Sequence, residues 1–480
     1  MRNRYSEVGR VLAVAGIIAA AAFVPGCDVS DRLLKATDPD PVNPNDVQSA
    51  DGAEGVRIGA MDRWKRTTGG PYGNGSESTW MFGGLLVDEW GTGSTFVQND
   101  QVDKRATPAD NGTVTTAFRA LHRVRTSVNQ AIPLMVKWRQ NDAALNTKIA
   151  ELLLARAYAE MQLASDFCNG IPLSDASALD GTIIEGDPMT VDQVFTKSIA
   201  TADSGIGLAI ATDTATVNVL NALKVIKSRA LLGLNQVAAA GALAATVPTT
   251  FVYNHTFSTN AGTNSIWSIA RSNRRYLVGD SIEGNARNIL VANAIPFFSA
   301  QDNRLPAKYT IAIVGGKPDT TKSQDGLTLS RTTDLYDETT SIPVASGIDA
   351  RLIEAEAALA AGNVNGANGL MPILNALRGT ARSLGTVTTS PAALPALADP
   401  GTTTLRQNLL FREWAFWTFS RGQRLGIMRR LVRYYGRAST SVYPEGPHYR
   451  GGVYGTDLQL PIPADELYNS KSKGCTDRNA

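Results

Sequence analysis

The stretch Leu405–Arg437, LRQNLLFREWAFWTFSRGQRLGIMRRLVRYYGR, decides the reading of the chain, because nowhere else do aromatic residues, arginine and helical periodicity coincide so densely. In its second half Leu425, Met428, Val432 and Tyr435 recur at steps of three and four, which puts them on one face of a helix. Arg424, Arg429, Arg430, Arg433 and Arg437 surround that stripe. One buried face with a basic remainder is expected. A glycine inside a helix costs roughly 1 kcal/mol relative to alanine, so Gly422 marks either a joint between two helices or a close approach of another backbone. Trp414 and Trp417 are assigned to the core.

Upstream, the same periodicity predicts a helix over 113–140, with Phe118, Leu121, Val124, Val128, Ile132 and Met135 along one face and Pro133 as a possible kink. A second helix is expected over 142–167, ending in the turn CNGIPL. Segments 191–211 and 217–242 form a further antiparallel pair, the second rich in small residues that let helices approach. Between 51 and 101, Val56, Gly59, Ala60 and Arg63 are spaced for a helix, and the glycine-rich tract 67–78 reads as a loop. That tract lacks the strand and helix that a phosphate-cradling fingerprint requires. From 249 to 348 the pattern changes: FVYNHTF, SIWSIA and AKYTIAIVG read as short strands among Gly, Asn, Asp and Thr. Helices resume at Ser346, with the first ended by Gly362. The hairpins are similar to tetratricopeptide units, although no clean repeat length emerges.

The N-terminus carries Arg2, Arg4 and Arg10 before an apolar run from Val11 to Val24 and then Pro25-Gly26-Cys27. This is the pattern of an export signal, too short to span a bilayer comfortably. Val-Pro-Gly-Cys resembles a bacterial lipobox, which makes Cys27 the expected lipidation site. Several acyl tails would give stable attachment. The following run DPDPVNPNDV reads as a flexible tether. The chain has 480 residues, 43% of them apolar, ample for a core, and a formal net charge of +2. Because the first 26 residues hold three Arg and one Glu, the remainder is neutral, which argues against nucleic-acid binding driven by bulk charge. Two cysteines remain besides Cys27, and in an oxidising compartment Cys168 and Cys475 are expected to pair.

Catalytic and metal chemistry find little support. His122, His255 and His448 are far apart with no ligand at metal spacing, and no nucleophile elbow is present. No metal or other cofactor is expected. Asp88-Glu89 and the pair Glu354 and Glu356 are the nearest approach to paired acids, but Glu354 and Glu356 point to different faces of a helix. Ligand capture needs aromatic planes with amide or charged side chains beside them, because sugar faces are apolar and their edges are hydroxyls. Trp64, Tyr72, Trp80, Trp90, Trp267, Tyr276 and Tyr309 are the aromatic candidates, with Arg271, Asn273, Arg274 and Arg275 beside Trp267. The preferred set is Trp267, Arg271, Asn273, Arg274 and Tyr276 in the irregular segment, with Trp80 and Trp90 from the glycine-rich region.

Several of these stretches resemble the SusD/RagB family of outer-membrane nutrient-binding lipoproteins. In the organising stretch Arg412-Glu413, Gly422, Arg424, Arg429 and Arg430 fit the family's signature, while Arg421 and Ile427 stand where it usually has acids. Asn129 matches one helix of the family. Arg156, Ala157, Leu163, Gly170, Pro172 and Leu173 match a second helix and its turn. Arg351, Leu352, Ala355, Glu356 and Ala357, then Leu374, Asn375 and Arg378, match a helix pair. Pro461, Ile462, Pro463 and Glu466 match the closing tail, with Asn469 one residue early.

The resemblance implies a mainly α, tetratricopeptide-like solenoid of helical hairpins with an irregular lobe containing short strands. The expected layout is a signal peptide over 1–26, lipidated Cys27 and tether over 27–50, a helical region over 51–250, the inserted lobe over 251–345, and a second helical region with the tail over 346–480. It further implies a cell-surface subunit in the outer membrane, not an enzyme, that binds glycan or peptide and serves a SusC-like TonB-dependent barrel. Two other readings stay open: an exported helical glycoside hydrolase, which needs two carboxylates facing one cleft, and a non-catalytic envelope scaffold of repeat type.

Overall fold

The computed structural model describes residues 47–70, 77–176, 182–210, 213–283, 288–389 and 394–480. The signal sequence, Cys27, most of the tether and Tyr72 lie outside these. Gln48–Ala480 form one compact unit. Its helices are α1 (Ala50–Arg66), α2 (Thr79–Leu86), α3 (Val97–Asp103), α4 (Gly112–Trp138), α5 (Leu145–Asp166), α6 (Val191–Leu208), α7 (Thr214–Gly233), α8 (Val237–Ala244), α9 (Gly347–Ala360), α10 (Leu370–Arg378), α11 (Thr403–Trp417) and α12 (Arg424–Arg433). The strands among the described residues form two-stranded antiparallel ladders. The fold is mainly α with short strands, as the periodicity indicates.

The helices pack in succession, α1 on α4, α4 on α5, α5 on α6, α6 on α7, α7 on α8, α8 on α9 and α9 on α10. α5 is the axis. Leu152, Leu154, Ala155, Ala157, Tyr158 and Ala159 are all closed to solvent, so it is apolar around most of its circumference. α4 buries Phe118, Leu121, Val124, Val128 and Met135 of the face that its period predicts, while Ile132 is only half-buried. In α1 the buried positions are Ala53, Ala60 and Trp64. Val56, Gly59 and Arg63, which the spacing favours, stay outside this set, and Trp64 instead packs on Tyr158 of α5 and on Tyr253 and His255.

Three expectations are corrected. The helix expected over 217–242 is two helices, α7 and α8, separated at Asn235, whose φ of 58° is left-handed. The SIWSIA segment is a π-helical turn, Trp267–Ser272, rather than a strand. Asn264 Oδ1 accepts from the backbone N–H of Ile266 at 2.9 Å and so starts a helical turn, overriding the β-branched residues. The arginines of the organising stretch do not form a solvated basic face. Arg424, Arg429 and Arg430 are buried, and Arg421 Nη2 pairs with Asp349 Oδ2 at 2.6 Å.

Gly422 is a joint, and what comes close to it is a side chain, the Trp80 indole, rather than another backbone. It lies between α11 and α12 with φ 62°, and a Cβ there would stand 2.1 Å from Trp80 Cδ1. Trp414 and Trp417 are in the core.

Cys168 and Cys475 are joined by a disulfide with Cα atoms 5.7 Å apart, across 307 residues of sequence. It fastens the tail beside the end of α5, where Cys168 N–H donates to Leu460 O at 3.1 Å. Cross-linking so long a loop restricts the unfolded chain, typically worth about 2–4 kcal/mol. The C168S/C475S double variant is therefore expected to unfold at lower denaturant concentration by that amount, measured by equilibrium unfolding, and an unchanged midpoint contradicts it.

Candidate ligand-binding face

The irregular lobe leaves the helical frame at the strand Val252–His255 and returns at Ile342–Ser346, and these two pair antiparallel. A second ladder joins Trp90–Thr92 to Tyr276–Val278. The π-turn carrying Trp267 hangs between these fixed points, and π-turns concentrate at functional sites.

Trp267 is half-buried. Four residues on, Arg271 is held in place by two carboxylates, Nη1 to Asp337 Oδ1 at 2.6 Å and Nη2 to Asp334 Oδ1 at 3.4 Å. Lys308 also pairs with Asp334. This chain of alternating charges is partly exposed, so its worth is positional rather than energetic. Next to Lys308 on the same strand, Tyr309 is exposed, with its ring 4.7 Å from that of Phe298. Asn273 is committed to the turn: its N–H donates to Ser268 O at 2.7 Å and its side chain lies 3.4 Å from Ser268 Oγ. Arg274, half-buried, adopts φ 52° and its carbonyl accepts from Gln324 N–H. Arg275 stacks over the exposed Phe96 ring at 4.2 Å and donates to Ser94 Oγ at 3.2 Å.

The structure thus gathers Trp267, Arg271 and the flanking polar residues on the lobe, and removes other candidates from it. Trp80, Trp90 and Tyr276 are closed to solvent, as is Trp64. Trp80 donates to Tyr158 Oη, Trp90 Nε1 donates to Ser420 Oγ at 3.2 Å, and Tyr276 packs against Phe82 and Trp90. These three are corrected to core residues, since a ligand cannot reach them. Phe96 went unread in the sequence, although a lone aromatic in the Gly-Ser-Thr loop 91–96 is a usable signal.

Of the acids considered for hydrolysis, Asp88, Glu89 and Glu356 are interior, while Glu354 is half-buried. Asp88 and Glu89 are buried, and burial pushes Glu89 up to about 8 and raises Asp88 as well. Glu356 is buried against Arg430, and Glu354 pairs with Arg351 at 2.7 Å. Among the described residues no group of three His, Cys, Asp or Glu side chains is placed to hold a metal ion.

Burial of ionisable groups sets a pH window for the fold. It pushes His122 and His255 down to about 3, so their contribution is present above the ordinary histidine range and lost as pH falls. Glu89, and Asp166 pushed up to about 7, act oppositely: their contribution is complete below the ordinary carboxylate range and lost as pH rises through about 8 and about 7. The melting temperature is expected to peak between roughly pH 5 and 7 and to fall on both sides. A flat profile from acid to alkaline pH would contradict these burial effects.

No family model matches the sequence, and no curated protein is similar to it. Solved structures are. A SusD-like carbohydrate binding protein from Bacteroides fragilis superposes with a TM-score of 0.61 at 14% identity, over 88% of this chain and 98% of that one. The surface glycan-binding protein A from Bacteroides uniformis gives 0.60 at 15%, over 89% and 99%. A SusD superfamily protein from Parabacteroides distasonis gives 0.59 at 15%, over 88% and 98%. The fold of this chain is therefore SusD-like.

Proposed function

We propose that this SusD-like chain is a non-catalytic, lipid-anchored receptor at the outer membrane that captures glycan and hands it to a SusC-like TonB-dependent barrel. The observation that carries the reading is the half-buried Trp267, flanked by the braced Arg271, on the irregular lobe of a rigid helical frame. An indole offers a sugar its apolar face, while Arg271, Asp337 and Lys308 offer hydroxyl partners around it. Two of the similar structures are named for carbohydrate or glycan binding, which supports the same ligand class. Peptide remains the second ligand class to be tested.

Attachment through Cys27 suits a chain in which, among the described residues, no helix is long and apolar enough to cross a membrane. Capture and release need only a difference in affinity between open and closed arrangements with the barrel, so no bond is broken.

Binding is read by calorimetry against a panel of oligosaccharides and peptides, with product analysis of every hit. Trp267→Ala is expected to weaken glycan binding at least tenfold without moving the melting temperature. Binding unchanged in that variant, or turnover of the glycan, overturns the reading.

Attachment is tested separately in cells. Cys27→Ser is expected to shift the protein from the membrane to the soluble fraction and to abolish labelling by a membrane-impermeant reagent. Full membrane retention of that variant removes the lipid anchor from the proposal.

A further inference from the structure

A hollow of about 230 Å³ lies between α11, α12 and the loops around Asn293 and Ser441. Arg412, Arg424 and Arg437 line it, and no acidic residue does. Each guanidinium has a neutral partner. Arg424 Nε donates to Val87 O at 3.1 Å, Arg437 Nη2 donates to Asn408 Oδ1 at 3.0 Å and Gln407 Oε1 at 3.1 Å, and Arg412 lies 5.0 Å over the Phe416 ring. Among the described residues, none of the three forms an ion pair with a carboxylate.

This is unusual within the chain. Of the three, Arg424 is buried, and the chain's other buried arginines commonly meet acids: Arg421 meets Asp349, Arg430 meets Glu356, Arg331 meets Glu283, and Arg304 meets Glu413. Arg424 is 8% exposed, and the carboxyls that act on it are Asp88 and Glu89, both driven by burial toward the uncharged form. Gathering three cations at one concavity without a counter-charge is unfavourable, and an anion entering it relieves that cost. The floor has a different character. Phe411 and Met428 are buried and apolar, and Ile295 and Pro296 continue the surface. The hollow is smaller than the roughly 300–1,000 Å³ of a drug-sized site, so it suits one ring rather than an extended chain.

We propose that this hollow binds the anionic terminal residue of an acidic glycan, a ring whose carboxylate or sulfate meets Arg412, Arg424 and Arg437 while its apolar face rests on Phe411. The sugar body rests on the glycan reading above; the preference for an anion rests on the arginines alone. Calorimetry on the full chain compares digalacturonate, galactose 6-sulfate, neutral galactobiose, benzoate and inorganic sulfate. The acidic sugars are expected to bind at least tenfold tighter than galactobiose, to weaken as salt is raised, and to lose at least tenfold in Arg412→Gln/Arg437→Gln. Both residues are at least partly open to solvent, and circular dichroism melting confirms that this double variant folds.

Equal binding of acidic and neutral sugars, or acidic binding unaffected by the double variant, overturns the proposal. So does inorganic sulfate binding as tightly as the sugars, which marks an adventitious ion only. Neutral glycans bound through Trp267 with no acidic preference sink this inference while leaving the receptor reading standing. If benzoate binds through the arginines and no sugar binds anywhere, the glycan reading fails and the sugar class fails with it.

Discussion

Arg429 ties α12 to the end of α5. The last carbonyls of a helix have no partner within it, and those of α5 face the interior. Arg429 Nη1 donates to the carbonyls of Ala164, Ser165 and Phe167 at 2.8, 2.7 and 3.0 Å, and its charge complements the negative end of the helix. A buried acceptor left without a donor costs about 1–3 kcal/mol, and Nη1, with two hydrogens shared among three carbonyls, relieves part of that cost while Nε and Nη2 of the same guanidinium stay buried without a partner. Arg430 on the next position pairs with Glu356 of α9, and Arg421 with Asp349 at the start of the same helix. α12 is thereby tied to both the first hairpins and the later ones.

That closure is what allows the lobe to be irregular. Its short ladders are too small to be stable alone, but the two that bracket the π-turn are moored to the helical frame. Trp64 of α1 stacks on Tyr253 at 5.6 Å and meets His255 edge-on at 4.6 Å, fixing the strand on which the lobe departs. The Trp90–Thr92 ladder fixes Tyr276–Val278. Between these anchors the backbone is free to present Trp267 and Arg271 without ordering them anew for each ligand, which lowers the entropy cost of binding.

The helical frame was legible because its period is strong: α4 buries most of the face that its spacing marks, and the break at Gly422 shows in the sequence. What escaped reading was decided by distant partners. The basic face of α12 looked solvated because nothing local reveals that Asp349, Glu356 and the carbonyl end of α5 converge on it. The split between α7 and α8 hangs on one left-handed residue, Asn235. SIWSIA has the composition of a strand, and the side chain of Asn264 two residues before Ile266 turns it into a helix start. On the candidate face, Trp267 and Arg271 could be named from composition, but not the bracing of Arg271 by Asp334 and Asp337, which lie more than sixty residues away.

The aromatic residues show why composition alone misassigned part of the site. Trp80 and Trp90 lie in a glycine-rich region that reads as exposed loop, yet the glycines there make room for indoles. Gly84 sits inside α2, where a Cβ would come within 2.7 Å of Trp90 Cδ1, and Gly422 yields the same space to Trp80. A glycine within a helix weakens it, so its presence beside aromatics points to a ring packed against bare backbone. Trp267 stands instead among Ser, Arg and Asn, on a turn that carries no glycine. For Trp80 and Trp90 it is the placement of a glycine against the ring, rather than the abundance of glycine, that marks a core position.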